Sequence, residues 1–396
     1  MSSSPEENIS YFDVIIVGGG VAGCATALAL FHANPGASIL ILDDANPNVF
    51  KIGESLPAAA KPVLASLSPQ LLDRLTKDSD SIQIKCTGNA SAWATPALEE
   101  TYGMMNPFGM GWHLDRASFD QILRDTVESI CPGPTSLVKG NFIGIDKTDD
   151  SSCWSISVND NASDERKLYN SKWVVDASGR KSSIARKLGS RIVKEDALLA
   201  FYCVFVPSIT TEDHDYRTMI EASESGWWYS SPIPHNRRVV AYHTDDTHPT
   251  SRDARNRDGF MNLLHTTQHI SRLITEGEYD ILIDSDTRYP MCTAAGSSRL
   301  EPPCDTAGPE GARWVAVGDA AMAFDPLSSQ GMITAMKTGC VVGGAIAQDI
   351  LAPGSSDLTS GIRELYSQVW SKYVKEKQYF YSQGKRFDGE FWNVRK

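Results

Sequence analysis

The chain has little that would staple it, anchor it or draw it to polyanions. Its eight cysteines are scattered through 396 residues, with no C-x-x-C pair. That spacing argues against a disulfide framework and against a zinc or other metal site, and suits reduced thiols in a cytoplasmic protein. No run approaches the roughly 18 uninterrupted apolar residues of a membrane span. Residues 1–10 are polar and acidic, unlike a signal peptide. Basic residues are outnumbered, 37 Lys and Arg against 49 Asp and Glu, for a net charge of −12. Such a surface argues against a nucleic-acid partner and against general attraction to an anionic membrane. Internal repeats and low-complexity linkers are also missing. The length suits two domains, or one large domain with an inserted sheet.

What is present begins at residues 13–44. An apolar, β-branched run, residues 14–17, is followed by Gly18, Gly20 and Gly23 in G-x-G-x-x-G spacing. Residues 24–31 then read as an Ala- and Leu-rich helix, and Val21 and Ala22 within the glycine motif are cofactor-binding candidates. A second apolar run ends on Asp43 and Asp44. Strand, glycine turn, helix, strand and acid form a dinucleotide-binding βαβ unit. The glycines permit a tight turn, close approach of a pyrophosphate and helix–strand packing. The helix N-terminus offers unpaired N–H groups to phosphates. Asp43 stands about 20 residues past the last glycine, where a carboxylate accepts from ribose hydroxyls. The motif alone does not separate FAD from NAD.

Further on, Gly53-Glu54-Ser55-Leu-Pro57 precedes a helical pattern over residues 58–74. It reads as an N-cap turn or as a loop beside a ligand ring. Residues 81–93 read as one or two strands. Residues 104–114, rich in glycine and aromatics, suit a loop or short strand against a ligand. Arg116 then opens a helix, where a cation is unfavourable unless it meets an anion or pairs with Asp120. A strand over 172–175 stops at Asp176-Ala-Ser-Gly179-Arg, a second candidate nucleotide contact. Strand-like segments from 198 to 243 lack intervening helices and predict an antiparallel sheet. Residues 258–275 predict one helix. A strand over 314–317 leads to Gly318-Asp319, then Phe324-Asp-Pro326-Leu-Ser-Ser329-Gln330-Gly331-Met332. The small-residue helix that follows suits close packing on another backbone. The tail, 362–381, predicts a surface helix pair covering a sheet.

Together, the Gly18 motif, Asp176–Arg180 and Gly318-Asp319 with Pro326 and Gly331 resemble the FAD-dependent aromatic-hydroxylase superfamily, over about residues 12–350. Gly53–Pro57, Gly111-Trp-His-Leu-Asp-Arg116 and Gly226-Trp-Trp-Tyr229 resemble its branch of flavin-dependent halogenases, geranylgeranyl-reductase-like proteins and quinone-cofactor-maturation monooxygenases. The resemblance implies an α/β fold: a glutathione-reductase-like FAD domain with an inserted antiparallel-sheet substrate domain and a helical tail. It divides the chain as FAD-binding (1–80, 115–195, 298–352), substrate-binding (81–114, 196–297) and a C-terminal cap (353–396).

The resemblance also implies site residues. Asp43 would hold the adenosine ribose, and Arg116 the FAD phosphates. Asp319 would meet the ribityl and pyrophosphate region. Pro326, Ser329 and Gln330 would pass beside the isoalloxazine, with the Gly331–Met332 helix end aimed at its N1–C2=O edge. Trp112, His113, Trp227, Trp228 and Tyr229 would line an aromatic substrate pocket. His113 is the proton-transfer candidate, against a structural histidine. Adjacent Trp227 and Trp228 must face opposite sides of a strand. The implied activity is a monooxygenase in which reduced FAD and O2 form a C4a-hydroperoxide that passes one oxygen to an electron-rich small molecule. Two departures leave alternatives open. The W-x-W-x-I-P segment of tryptophan halogenases lacks its second Trp here, although Phe324, Pro326, Ser329 and Gly331 keep the F-x-P-x-x-S-x-G pattern. Lys85 stands where a halogenase lysine would, or is a surface lysine. An oxidase or reductase, and a non-catalytic flavin-binding protein, also fit. Electrons come from NADH or NADPH bound directly, or from a separate flavin reductase.

Overall fold

The computed structural model describes residues 9–44, 50–77, 81–131, 135–161, 163–208, 214–283, 287–306, 311–355 and 357–396. The Asn- and Pro-rich loop after Asp44 falls largely outside them. Val14, Ile15 and Ile16 are fully buried, as suits a strand covered on both faces. Ser10–Val17 pairs in parallel with Ile39–Asp43 on one side and Arg166–Asp176 on the other. Thr135–Lys147 extends the sheet beyond Ile39–Asp43, and Arg313–Ala316 beyond Arg166–Asp176. Trp154–Asp160 runs antiparallel to Thr135–Lys147 and Arg166–Asp176. The parallel strands therefore end together near Val17, Asp43, Asp176 and Ala316, the edge where open α/β sheets bind ligands.

Two helices pack backbone to backbone beside this edge. Val21–Ala33 meets Gly331–Leu351 through small residues. A Cβ on Gly343 would stand 2.4 Å from the Thr26 carbonyl oxygen. The closeness explains the Gly and Ala content of both helices.

A second sheet has antiparallel strands Leu198–Pro207, Arg237–Asp245, Gly226–Ile233 and Arg217–Ser223 at its centre. Gly88–Ala92 joins it in parallel. Trp228, Tyr242 and Phe201 pack on one face with Phe260, Leu264 and Ile270. Trp227, Trp93, Tyr381 and Trp392 pack together on the other. A three-stranded sheet of Ser55–Leu56, Gly111–Leu114 and Gln83–Cys86 lies between the two large sheets in chain connection.

Three helix expectations are corrected. The helix over 58–74 is broken into Ala58–Ala60, Lys61–Leu67 and Pro69–Lys77. Ser68 is extended because the residue before a proline avoids the helical region. The helix over 258–275 is two, Arg257–Leu264 and His269–Glu276. Glu221, from the sheet, accepts from the backbone N–H groups of Gln268, His269 and Ile270 at 2.6, 2.9 and 3.0 Å, and so starts a new helix there. The tail is one long helix, Leu358–Gln383, followed by a short one, Glu390–Asn393, rather than a pair of surface helices. Its Tyr366, Tyr373 and Tyr381 are buried.

Candidate active site

The glycine turn lies at the shared strand edge. Gly18 has φ +115°, and a Cβ there would lie 2.2 Å from the Ala177 carbonyl oxygen. A side chain on Gly20 would meet nothing nearer than the Lys51 Nζ at 4.0 Å, and one on Gly179 or Gly331 nothing within 4 Å. Each of these turns borders open space, and the Gly18–Gly23 turn and the helix after it touch the Ala177 and Gly318 segments. That arrangement fits an extended dinucleotide cofactor. Val21 and Ala22 are buried in the first helical turn, with Ala22 packed against Gly318. Asp44, beyond the strand end, is exposed.

Asp43 is not alone at its strand end. Arg124 Nη1 lies 3.1 Å from its carboxylate and donates to the Gly19 carbonyl at 3.3 Å. Sequence reading missed Arg124. The signal was present, since Arg116, Asp120 and Arg124 fall four residues apart on one helix face. Arg116 is buried, with its fork on Asp120 at 3.1 Å and its Nη1 on the Gly53 carbonyl at 2.9 Å. Lys51 closes on Asp120 at 2.6 Å. Burial opposes the Asp120 charge, but Arg116 and Lys51 more than offset it and hold the carboxyl below its usual range. Asp176 faces inward. It accepts from Ser178 Oγ and from the backbone of Ser178, Ile184 and Ala185, capping the helix Ser183–Lys187. Burial still raises its pKa.

Asp319 is partly exposed, 3.6 Å from Arg180, which also holds the Phe324 carbonyl at 3.0 Å. Pro326 and Ser329 are exposed, Gln330 and Met332 half-buried. Gly331 opens the 21-residue helix, whose first N–H groups have no partner within the helix. Asp325, just before the loop, is buried and was not singled out from sequence. Its N–H donates to Tyr373 Oη at 2.9 Å, and its carboxylate accepts from Tyr381 Oη at 2.8 Å. Two tyrosines of the C-terminal helix thus hold the loop that leads to Gly331.

A cavity of about 440 Å³ opens beside that loop. Ser329 borders it from the loop, Ser55 and Trp112 from the three-stranded sheet, and Thr218 from the large inserted sheet. His113 lies behind Thr218. It is fully buried, with Nε2 2.8 Å from Thr218 Oγ1 and Nδ1 unpartnered among the described residues. Burial, reinforced by Arg238, lowers its pKa to about 3, so it is neutral at ordinary pH. Trp227 and Trp228 do face opposite sides, but neither lines this cavity. Trp227 stacks on His243 with ring centres 3.7 Å apart and donates to Tyr381. Trp228 stacks on Tyr242 at 4.7 Å. Tyr229 hydrogen-bonds Ser55 at 2.7 Å and Ser231 at 3.0 Å. Burial raises its pKa well above the ordinary value. Glu54 is buried, accepting from Ser231 Oγ at 2.9 Å. Lys85 is exposed, directly across from Trp112 in antiparallel register. Lys61, unremarked in the sequence, holds its ammonium 5.0 Å over the Trp112 ring. Burial and nearby Lys85 lower its pKa.

Among the described residues no helix is long and apolar enough to cross a membrane, and no group of three or more metal-ligating side chains gathers. The tryptophan halogenase family model matches residues 72–396. A protein named FAD-dependent oxidoreductase LodB, from Marinomonas mediterranea, is 28% identical over 388 residues, covering 97% of this chain and 96% of its own. The crystal structure of CmlS, a flavin-dependent halogenase, superposes with a TM-score of 0.79 at 22% identity, covering 98% of this chain and 68% of that one. QhpG, a peptidyl tryptophan dihydroxylase, superposes with a TM-score of 0.68 at 18% identity, covering 98% and 79%. The chain belongs to the tryptophan halogenase family and is an enzyme of the FAD-dependent oxidoreductase kind.

Proposed function

We propose that the protein is an FAD-dependent monooxygenase that inserts one oxygen atom from O2 into an aromatic or other electron-rich substrate. The observation that carries this reading is the cavity between Ser329 of the cofactor loop and Ser55, Trp112 and Thr218 of the inserted segments. Bound FAD supplies the activation of O2; the chain supplies placement, a dry pocket and fixed dipoles. Gly18, Gly20 and Gly23 would receive the pyrophosphate. Asp43, steadied by Arg124, would accept from the ribose. Asp319 and the helix end at Gly331 and Met332 would face the ribityl and ring end, in a domain of the glutathione-reductase-like kind. The helix end favours negative charge at its first turn. Arg116 would reach phosphate only by sharing its Asp120 and Gly53 partners. Tyr373 and Tyr381 keep the loop 326–329 in place through Asp325. His113, neutral and behind Thr218, would orient that hydroxyl rather than shuttle a proton itself.

Halogenation is the second reading, favoured by Lys85 and Lys61 beside Trp112, where a lysine could hold an oxidised halogen. NADH or NADPH, or a separate flavin reductase, would supply electrons. The test loads purified protein with FAD and reduces it anaerobically, first with NADH or NADPH and then with an added reductase. Labelled O2 and a panel of indoles, phenols and pyrroles follow, with and without bromide. Labelled oxygen in a product supports the first reading, and halogen in the product the second. Conversion without oxygen, using an artificial electron acceptor, would replace both with a dehydrogenation.

A further inference from the structure

The buried carboxylate of Glu54 raises a question of its own. It is 1% exposed. Its partners are the Gly53 N–H at 3.0 Å, Ser231 Oγ at 2.9 Å and the Tyr229 hydroxyl, and among the described residues no cation pairs with it. Placing a charge there is expensive, and such groups cluster at functional sites. Tyr202 and Tyr229 are the titratable groups that sense it.

Three hydroxyls connect Glu54 to the cavity, and proton counting orients them. A carboxylate cannot donate, so Ser231 spends its one proton on Glu54. Tyr229 then spends its own proton on Ser231, at 3.0 Å, or on Glu54 itself. Its proton being used, Tyr229 can only accept from Ser55, at 2.7 Å. Every O–H in the row points away from the cavity. Ser55, which borders the cavity, therefore presents lone pairs and no proton to whatever binds there.

We infer that this one-way hydroxyl row, ended by Glu54, makes Ser55 a hydrogen-bond acceptor that selects a substrate ring carrying an O–H or N–H donor. The inference rests on the cavity being the substrate site. A ring that donates towards a row ended by a carboxylate becomes richer in electrons and easier to attack by an electrophile.

The test is an equilibrium one and needs no turnover. FAD-loaded protein is titrated calorimetrically with indole and with 1-methylindole, which lacks the N–H. The wild type should bind indole about tenfold more tightly, as expected for a hydrogen bond backed by a charge. Ser55→Ala, Tyr229→Phe and Glu54→Gln should each bring the two affinities to within about twofold, because each removes or frees the oriented proton. Ser55→Thr keeps the hydroxyl and should keep the preference. Flavin content and thermal midpoint establish that each variant is folded, and the tyrosine variant carries the test if the glutamine variant is not. Equal affinities in the wild type, or a preference that survives all three substitutions, would overturn the inference and leave the monooxygenase reading standing. Failure of both ligands to bind at millimolar concentration would overturn it by removing the cavity as the substrate site.

Discussion

The two halves of this molecule are held by opposite means. In the nucleotide half, two helices approach until the backbone of one nearly touches the other, as at Gly343 against Thr26. In the inserted half, the sheet is clad on both faces by large rings, Trp228 with Tyr242 and Phe260 on one and Trp227 with Trp93, Tyr381 and Trp392 on the other. Small residues bring N–H groups and turns within reach of a cofactor. Large residues instead enclose space and leave a cavity where the cladding stops. Both halves start a helix on a buried carboxylate: Asp176 caps the helix that follows it directly, and Glu221 caps a helix 47 residues away.

The contrast can be broken most severely at its tightest point. Gly343→Leu would push a side chain into the first helix and should cost more than about 3 kcal/mol. Flavin should be lost together with fold, seen as a lowered thermal midpoint and colourless protein. A yellow variant of unchanged midpoint would mean that the two helices are not packed as described. Glu221→Ala comes next. It strips three backbone N–H groups of their acceptor and should destabilise by roughly 2–3 kcal/mol. Unlike the first variant, it should retain stoichiometric FAD after purification. Equal loss of flavin would erase the distinction between the halves.

Acid should act on the inserted half first. His113 and His243 are both fully buried there, and burial lowers each pKa from 6.5 to about 3. The unfolded chain takes up these protons below pH 6.5, whereas the folded chain refuses them until about 3. Stability is thus complete above 6.5 and lost as the pH falls towards 3. The loss is on the order of 1 kcal/mol per histidine for each unit below 6.5. Denaturant titrations at pH 7.5 and 5.5, with hydrogen exchange to locate the opening, would check this. Stability that is the same at both values would sink it.

Arg124→Ala should be milder still. It frees Asp43 from its partner and should weaken FAD binding by about fivefold to tenfold, with little change in the midpoint. Fluorescence quenching of added FAD measures it, and unchanged affinity would remove Arg124 from the site. Lys85→Ala, at an exposed strand position, should shift stability by less than about 0.5 kcal/mol. Any halogenated product should vanish with it, while an oxygenated product should not.

Residues 13–44 announced their strand, turn, helix and acid because that motif is local: every contact it needs lies within one βαβ unit. The small-residue helix after Gly331 was equally legible, since the lack of side chains says that a backbone comes close. Trp227 and Trp228 facing opposite ways followed from strand geometry alone. What surrounds them did not, because Tyr381 and Phe260 arrive from elsewhere in the chain. Arg124 beside Asp43, Tyr373 and Tyr381 on Asp325, and the row from Ser55 to Glu54 all join residues far apart in sequence. His113 could be read as a histidine, but its neutrality came from burial behind Thr218. Periodicity and spacing thus determined the local βαβ unit at 13–44 and the small-residue helix after Gly331. Only the tertiary fold decided which polar atoms are desolvated together, and hydrogen-bond direction and proton affinity are set by that desolvation.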